Sequence, residues 1–413
     1  MKTVFSAIGT YKKETEWMLK LCCFSLSSFS TLLIYSLYKN GEIGRLNTVL
    51  VQPAMALCGI VAAIVLSKID YHMMARLWKW HSVLCYGLAL LVFPFGIQRV
   101  DWVDDKAWLP IPFTSISFQP SELLKISFII TFAYHLSKVK DQLNRPKQLL
   151  LLCIHGAIPC GLIHLQGDDG TVLVMAVIFA SMLFVAGLSW KYIVPVLAII
   201  PPAAVVLWNF FLDDDKKNRI LAIIRPELVD SAITWQQDRG LISIGNGGLW
   251  GNGIFMETGQ FRYVPEVYND FIFTYIGETV GFIGCIAVLA ALAFLCIRIL
   301  HNALHALDDL GKFICVGVFA MMAIQIIINI GMFLIVGGII LYSTTHCFMP
   351  ANRMMASLHL AARNFQTDFK RKGDYLWDDY KDNPKLFGNK LADTRFREYC
   401  EERRRLTMLE LSA

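Results

Sequence analysis

The chain has 413 residues, of which 55% are hydrophobic and 17% charged, and its mean hydropathy is +0.50. A soluble domain carries about 25% charged residues, so the composition excludes that class and indicates a polytopic helical membrane protein, one integral domain. The net charge of +5 is divided among the connections and forms no nucleic-acid patch.

Taken in order, the apolar runs predict spans at residues 18–38, 47–67, 80–97, 119–137, 148–165, 171–188, 192–212 and 270–300, with a ninth beginning near 313. Each approaches the roughly 20 residues needed to cross a bilayer. The polar residues 1–16 and the lack of a small-residue cleavage site argue against a cleavable signal. Residues 98–118 form a polar loop with Trp108, and 138–147 a basic one. Pro195, Pro201 and Pro202 bend the seventh span, and the long connection 213–269 follows. Residues 313–342 are long for one span, and 346–364 would make a poor tenth. The expected division is a membrane domain over 1–365 and a charged tail over 366–413. Most of the 11 cysteines lie within apolar runs and read as small hydrophobes.

Basic excess follows spans two, four, six and eight, and Lys12 and Lys13 precede span one. The positive-inside rule then places the N-terminus in the cytoplasm of a multi-pass protein of the cell membrane. The Trp108 loop, the turn at Asp168 and the 213–269 connection share the outer face.

Acids mark the mouth of the eighth span. Glu266 and Asp270 precede or open it, and Glu278 lies within it. At helical spacing Asp270, Thr274, Gly277, Gly281 and Gly284 fall on one stripe, which aims Asp270 into the protein. Gly277-x-x-x-Gly281 lets a neighbouring helix come close. The plain alternative for Asp270 is a helix N-cap. Gln119-Pro120-Ser121-Glu122 opens the fourth span as a capping sequence would. Lys125, a turn further in, is too deep for a cap and suits a phosphate or Glu122. Gln166-Gly167-Asp168-Asp169-Gly170 reads as a tight turn. The glycine-rich stretch 245–253 lacks the Gly-Lys-Ser/Thr ending of a phosphate loop and reads as a re-entrant or surface loop folded close to the bundle.

These motifs, in this order, resemble the SEDS family (shape, elongation, division and sporulation) of the RodA, FtsW and SpoVE type. The matching pieces are 118–123, Gln166 with Asp168, Gly170 and Thr171, 244–251, 265–273 with 281–284, and 329–332. The resemblance implies a peptidoglycan glycosyltransferase that polymerises lipid II on the outer face of the membrane. Its implied partners are lipid II, membrane lipid and a class B penicillin-binding protein, and it favours a cytoplasmic tail. The family's essential acid matches Asp270, and its tryptophan before the Gln-Pro-Ser-Glu motif matches Trp108. Two departures stand out: Gly167 replaces the family's usual Pro, and 333–364 differ from the family's Pro- and Gly-rich ending, which puts activity in question.

Joining sugars with loss of a polyprenyl diphosphate needs a base for the attacking hydroxyl and cations for the leaving group. Asp270 is the leading base, with Glu266 and Glu122 behind it. Trp108, Gln119, Ser121, Lys125, Asp168, Arg219, Arg239 and Arg262 are candidates for substrate binding. No cofactor motif is present, and a divalent cation is neither required nor excluded. A lipid II flippase and a non-catalytic scaffold for the transpeptidase are the rival functions.

Overall fold

A computed structural model describes residues 16–41, 46–98, 106–112, 117–224, 228–229, 231–255, 264 and 267–345. The chain divides into two units, Met1–Val336 and Gly337–Ala413. The second begins within the last described helix, and the following account concerns the first. The boundary expected at 365/366 lies outside the described residues.

All nine predicted spans are helical: α1 Trp17–Lys39, α2 Leu46–Leu66, α4 Trp78–Phe95, α5 Pro120–Val139, α6 Pro146–His164, α7 Asp169–Val185, α8 Trp190–Val206, α11 Ile272–Leu304 and α12 Asp309–Thr345. A short α3, Tyr71–Arg76, joins α2 to α4, and a π-helical turn, Leu207–Phe211, extends α8. The two-residue strands Leu109–Pro110 and Ser117–Phe118 pair antiparallel. The 213–269 connection, expected as loop, contains two helices, α9 Asp214–Ile224 and α10 Ser231–Asn246. Their charged residues hid a helical period that the spans show by length alone.

Among the described residues, six helices are long and apolar enough to cross a membrane: 17–39, 49–66, 146–164, 190–210, 272–304 and 309–331. Their outward residues are apolar as well; Leu57, Val61 and Val65 on α2 and Leu197, Ile199 and Ile200 on α8 are exposed. Water would penalise such a surface, whereas lipid covers it. The protein is a multi-pass membrane protein.

Two apolar cores form inside. In the first, Leu124, Phe128, Phe132 and Leu136 recur every four residues along α5, so they share one face. They pack with Ala89 of α4, Leu152 of α6, Met175, Ile178 and Met182 of α7, and Phe313 of α12. In the second, Leu33, Ile34 and Leu37 of α1 meet Phe273, Tyr275 and Ile276 of α11.

Helix α11 breaks at Gly281, whose φ of 76° and ψ of −171° are not helical. An unbroken helix would bond Phe282 N–H to Glu278 C=O and Ile283 N–H to Thr279 C=O. Instead, Phe282 and Ile283 donate to the carbonyls of Gly248 and Leu249, at 2.9 and 3.2 Å. The carbonyls of Glu278 and Thr279 accept from Asn252 and Gly253, at 2.9 and 3.0 Å. The glycine-rich segment thus inserts into the helical ladder and satisfies what the break frees. This is the condition for a helix break at membrane depth. The neighbouring helix expected at Gly277-x-x-x-Gly281 is present at one end: Gly277 faces Ile244 of α10, whereas Gly281 faces the glycine-rich segment. A Cβ on Gly247 would collide with the carbonyl of Gly277, and one on Gly281 with Gly251 N and Leu249 O.

At the other ends of the helices, α3 is tied to the α11–α12 turn. Asp308 accepts from Tyr71 Oη and Gly311 N, and its Oδ2 lies 2.9 Å from His72 Nε2; each of the other two contacts is also 2.9 Å. His72 Nδ1 lies 2.9 Å from Asp70 Oδ1. The bond to Asp70, helped by Asp308, raises the His72 pKa above 6.5, although desolvation opposes it. The His72 N–H bond chiefly lowers Asp70. Burial raises Asp308, but the bonds from Gly311, Tyr71 and His72 outweigh it and leave it below 3.8. Burial, with the bond to Asp308, pushes Tyr71 up to about 12.

Two predictions follow from the helix break and the turn. Gly281→Ala combines a left-handed φ with a backbone clash and costs about 2 kcal/mol or more, read as a lower melting temperature in detergent. The His72 contribution is complete below its unfolded pKa and fades as pH rises through the raised folded value. The melting difference between parent and His72→Ala is therefore larger near about pH 6 than near about pH 9.

Candidate functional site

Several predicted residues converge where α5 and α7 begin. Gln119 precedes α5, and Pro120 occupies its first turn, where a missing N–H costs nothing. The Gln119 Nε2 donates to Asp168 Oδ2 at 2.6 Å. The other carboxylate oxygen of Asp168 accepts from Thr171 N at 2.9 Å and caps α7. The tight turn is therefore both a hairpin and a bridge to α5. Gln166 is buried and donates through Nε2 to Ala89 O on α4 at 2.9 Å. Its carbonyl accepts from Lys106 N at 3.3 Å. Ile97 N donates to Trp108 O at 2.8 Å. These bonds stitch the Trp108 loop to α4 and to the Asp168 turn, and the short strand pair leads it into α5.

Lys125 is 1% exposed, and its Nζ donates to Glu122 Oε1 at 2.9 Å. Glu122 itself is 53% exposed. Of the two ligands expected for Lys125, the structure supplies the carboxylate. A buried ammonium is stable only with such a partner, and its three donors leave capacity for another anion. Ser121 is buried on the first turn of α5, and its Oγ has no hydrogen-bond partner among the described residues. The positive end of the α5 dipole adds to the Lys125 charge.

The second group surrounds the start of α11. Asp270 lies in the turn before the helix and is exposed. This corrects the expected stripe: α11 begins at Ile272, its N-cap position is Phe271, and the buried stripe starts at Thr274 and continues through Gly277, Gly281 and Gly284. The reason is local. Thr274 turns both its N–H and its Oγ onto Phe271 O, at 3.0 and 2.7 Å, which ends the turn at Phe271. Asp270 is thus not the N-cap, and its neighbours anchor the turn. Val267 and Phe271 are buried in the α1–α11 core.

Glu278, 1% exposed, accepts from Ser243 Oγ on α10 at 2.6 Å. Ser243 Oγ also lies 3.3 Å from Thr274 O. Ser243 escaped the sequence reading, because a serine in a polar connection carries no signal until α10 is recognised as a helix. The same holds for Lys216 of α9, which lies 2.7 Å from Asp169, itself 2.6 Å from His164.

The remaining candidates are dispersed. Arg239 on α10 stacks over Trp235 at 5.4 Å. Arg219 lies on α9. Arg262 and Glu266 fall outside the described residues, as does most of the altered stretch after Met332. Among the described residues, no group of three or more His, Cys, Asp and Glu side chains is placed to hold a metal ion.

The fold and site define a polytopic membrane protein with an interrupted helix and clustered polar groups where its helices begin. Residues 16–340 match the model of the FtsW, RodA and SpoVE cell cycle proteins, and the chain belongs to that family. It is 31% identical over 291 residues to a probable peptidoglycan glycosyltransferase FtsW of Geobacter metallireducens, covering 68% of this chain and 74% of that one. It is 28% identical over 330 residues to the peptidoglycan glycosyltransferase MrdB of Escherichia coli K12, covering 78% and 86%. Its fold is similar to a chain solved within a peptidoglycan synthase complex, with TM-score 0.62, 20% identity and coverage of 78% and 88%. The crystal structure of Thermus thermophilus RodA gives TM-score 0.54 at 21% identity, covering 78% and 86%.

The double role of Asp168 predicts an order of effects. Gln119→Ala removes one charge-assisted bond, about 1.5 kcal/mol. Asp168→Ala removes that bond and an N-cap worth about 1 kcal/mol more, so it melts lower in detergent than Gln119→Ala does.

Proposed function

We propose that this chain is a peptidoglycan glycosyltransferase that polymerises lipid II for cell-wall synthesis, with Asp270 as its general base. The observation that carries the reading is the exposed Asp270 carboxylate on an anchored turn, at the mouth of a helix locked by the glycine-rich segment. Membership of a family whose named relatives are peptidoglycan glycosyltransferases supports it.

Basic excess in the connections after α2, α5, α7 and α11 puts these ends in the cytoplasm, with the N-terminus. The Asp270 turn and the starts of α5 and α7 then face outward, where the lipid-linked sugars are joined. In the reaction, Asp270 takes the proton of the acceptor sugar hydroxyl. The oxygen forms a bond to the anomeric carbon of the donor, and the polyprenyl diphosphate leaves with the electrons of the old bond. Lys125, Ser121 and the start of α5 receive the diphosphate charge, assisted by the arginines of the long connection, Arg219, Arg239 and Arg262. Glu122 holds the Lys125 ammonium in place, Gln119 and Asp168 brace the α5–α7 mouth, and Trp108 lines it. Glu266 stands beside Asp270 in sequence as a secondary acid. The partner is a class B penicillin-binding protein, in keeping with the synthase complex whose chain shares this fold.

The test is polymerisation of labelled lipid II by the purified chain with its transpeptidase. Asp270→Ala lowers the rate by about 100-fold or more in a variant that melts like the parent. Unchanged polymer from that variant removes Asp270 as the base. No polymer from the parent favours a flippase or a scaffold.

A further inference from the structure

Asp270 stands on a turn, outside the hydrogen-bond ladder of α11. The turn that carries it runs directly into the half-helix 272–280, so what grips that half-helix bears on its place. One grip is the glycine-rich segment at Gly281. A second lies on the opposite partner, α1.

Tyr275, one turn into α11, is fully buried. Its hydroxyl meets Ser36 Oγ in a short hydrogen bond. It also accepts from Asn40 Nδ2 at 2.9 Å, and either hydroxyl can be the donor in the bond to Ser36. The Asn40 Nδ2 also lies 3.3 Å from Ile254 O, just beyond the glycine-rich segment. Ser36 and Asn40 are buried, at the far end of α1. Three polar side chains thus join α1, the first part of α11 and the connection that clasps α11.

Around them the contact is apolar: Leu33, Ile34 and Leu37 against Ile276, Phe273, Val267 and Phe271. Apolar contact is non-directional, and between membrane helices it lacks even the aqueous driving force. By itself it tolerates axial sliding. The hydroxyl and amide bonds do not, since sliding would leave buried polar groups without partners. A slip of one residue moves a helix by about 1.5 Å along its axis and rotates it by about 100°.

We infer that Tyr275, together with Ser36 and Asn40, is a positioning residue that sets the register of residues 272–280 against α1 and thereby the place of the Asp270 carboxylate. This rests on Asp270 being the base. Misplacement of a reacting group by about 1 Å costs up to about 100-fold in rate, so the bond acts on turnover rather than on affinity.

The experiment uses the full chain with its class B penicillin-binding protein and fluorescent lipid II. Ser36→Ala/Tyr275→Phe removes both hydroxyls together, so neither is left unpaired, and the Asn40 amide keeps Ile254 O as an acceptor. It is expected to melt within a few degrees of the parent, keep KM within about twofold and lose about tenfold or more in kcat. Asp270→Ala is run beside it. Parental kcat in the double variant, with Asp270→Ala inactive, overturns the positioning role and leaves the base reading intact. Parental kcat in Asp270→Ala overturns the base reading and, with it, this role. A matched fall in melting temperature and activity, or a rise in KM alone, also overturns it. Should the double variant not fold, Tyr275→Phe alone is judged by the same kcat and KM criteria.

Discussion

Four backbone hydrogen bonds between 248–253 and the two sides of Gly281 are the constraint on which the site depends. A helix interrupted inside a membrane exposes N–H and C=O groups that lipid cannot satisfy. Here the interruption is filled by another piece of the same chain, bond for bond. The exchange requires backbone to lie against backbone. That is why Gly247 and Gly281 cannot carry a side chain.

The consequence is a helix of two halves with different duties. The longer half, beyond Gly281, is an ordinary apolar span. The shorter half, 272–280, is buried on several sides and carries polar groups that a free membrane helix would not tolerate: Thr274, Tyr275, Glu278 and Thr279. The side chains of Glu278 and Tyr275 bond to other elements, Ser243 on α10 and Ser36 and Asn40 at α1, while those of Thr274 and Thr279 bond back to Phe271 O and Tyr275 O. Such polar pairing specifies one arrangement where apolar packing would accept several. Asp270 is then the exposed end of a rigid support, and rigid support is what the proposed role of a general base requires. Gln119, Asp168, Glu122 and Lys125 repeat the pattern at the mouth of α5, with one buried charge held by one half-exposed partner.

Much of the fold was legible in the sequence because membrane spans are written in length and composition. The nine helices were located from apolar runs to within a few residues, and Gly277-x-x-x-Gly281 announced a close neighbour. The pairing of Lys125 with Glu122 was legible from helical spacing. What stayed hidden depends on long-range contact. Nothing local marks Ser243, Lys216, Ser36 or Asn40, each polar in a setting where polarity is common. Helices α9 and α10 were hidden because a charged connection lacks the apolar signal that identified the spans. The position of Asp270 outside α11 was hidden too, since a helical stripe can be extended by one turn on paper while Thr274 ends it in the structure.

On the proposed function, this chain itself joins the sugars. The most direct measurement counts polyprenyl diphosphate released by the purified chain and its transpeptidase partner, with the partner's active-site serine blocked. The expected result is one diphosphate for each new sugar–sugar bond, undiminished by the block. Diphosphate release and polymer that both disappear with the partner's serine, or never form at all, would contradict it.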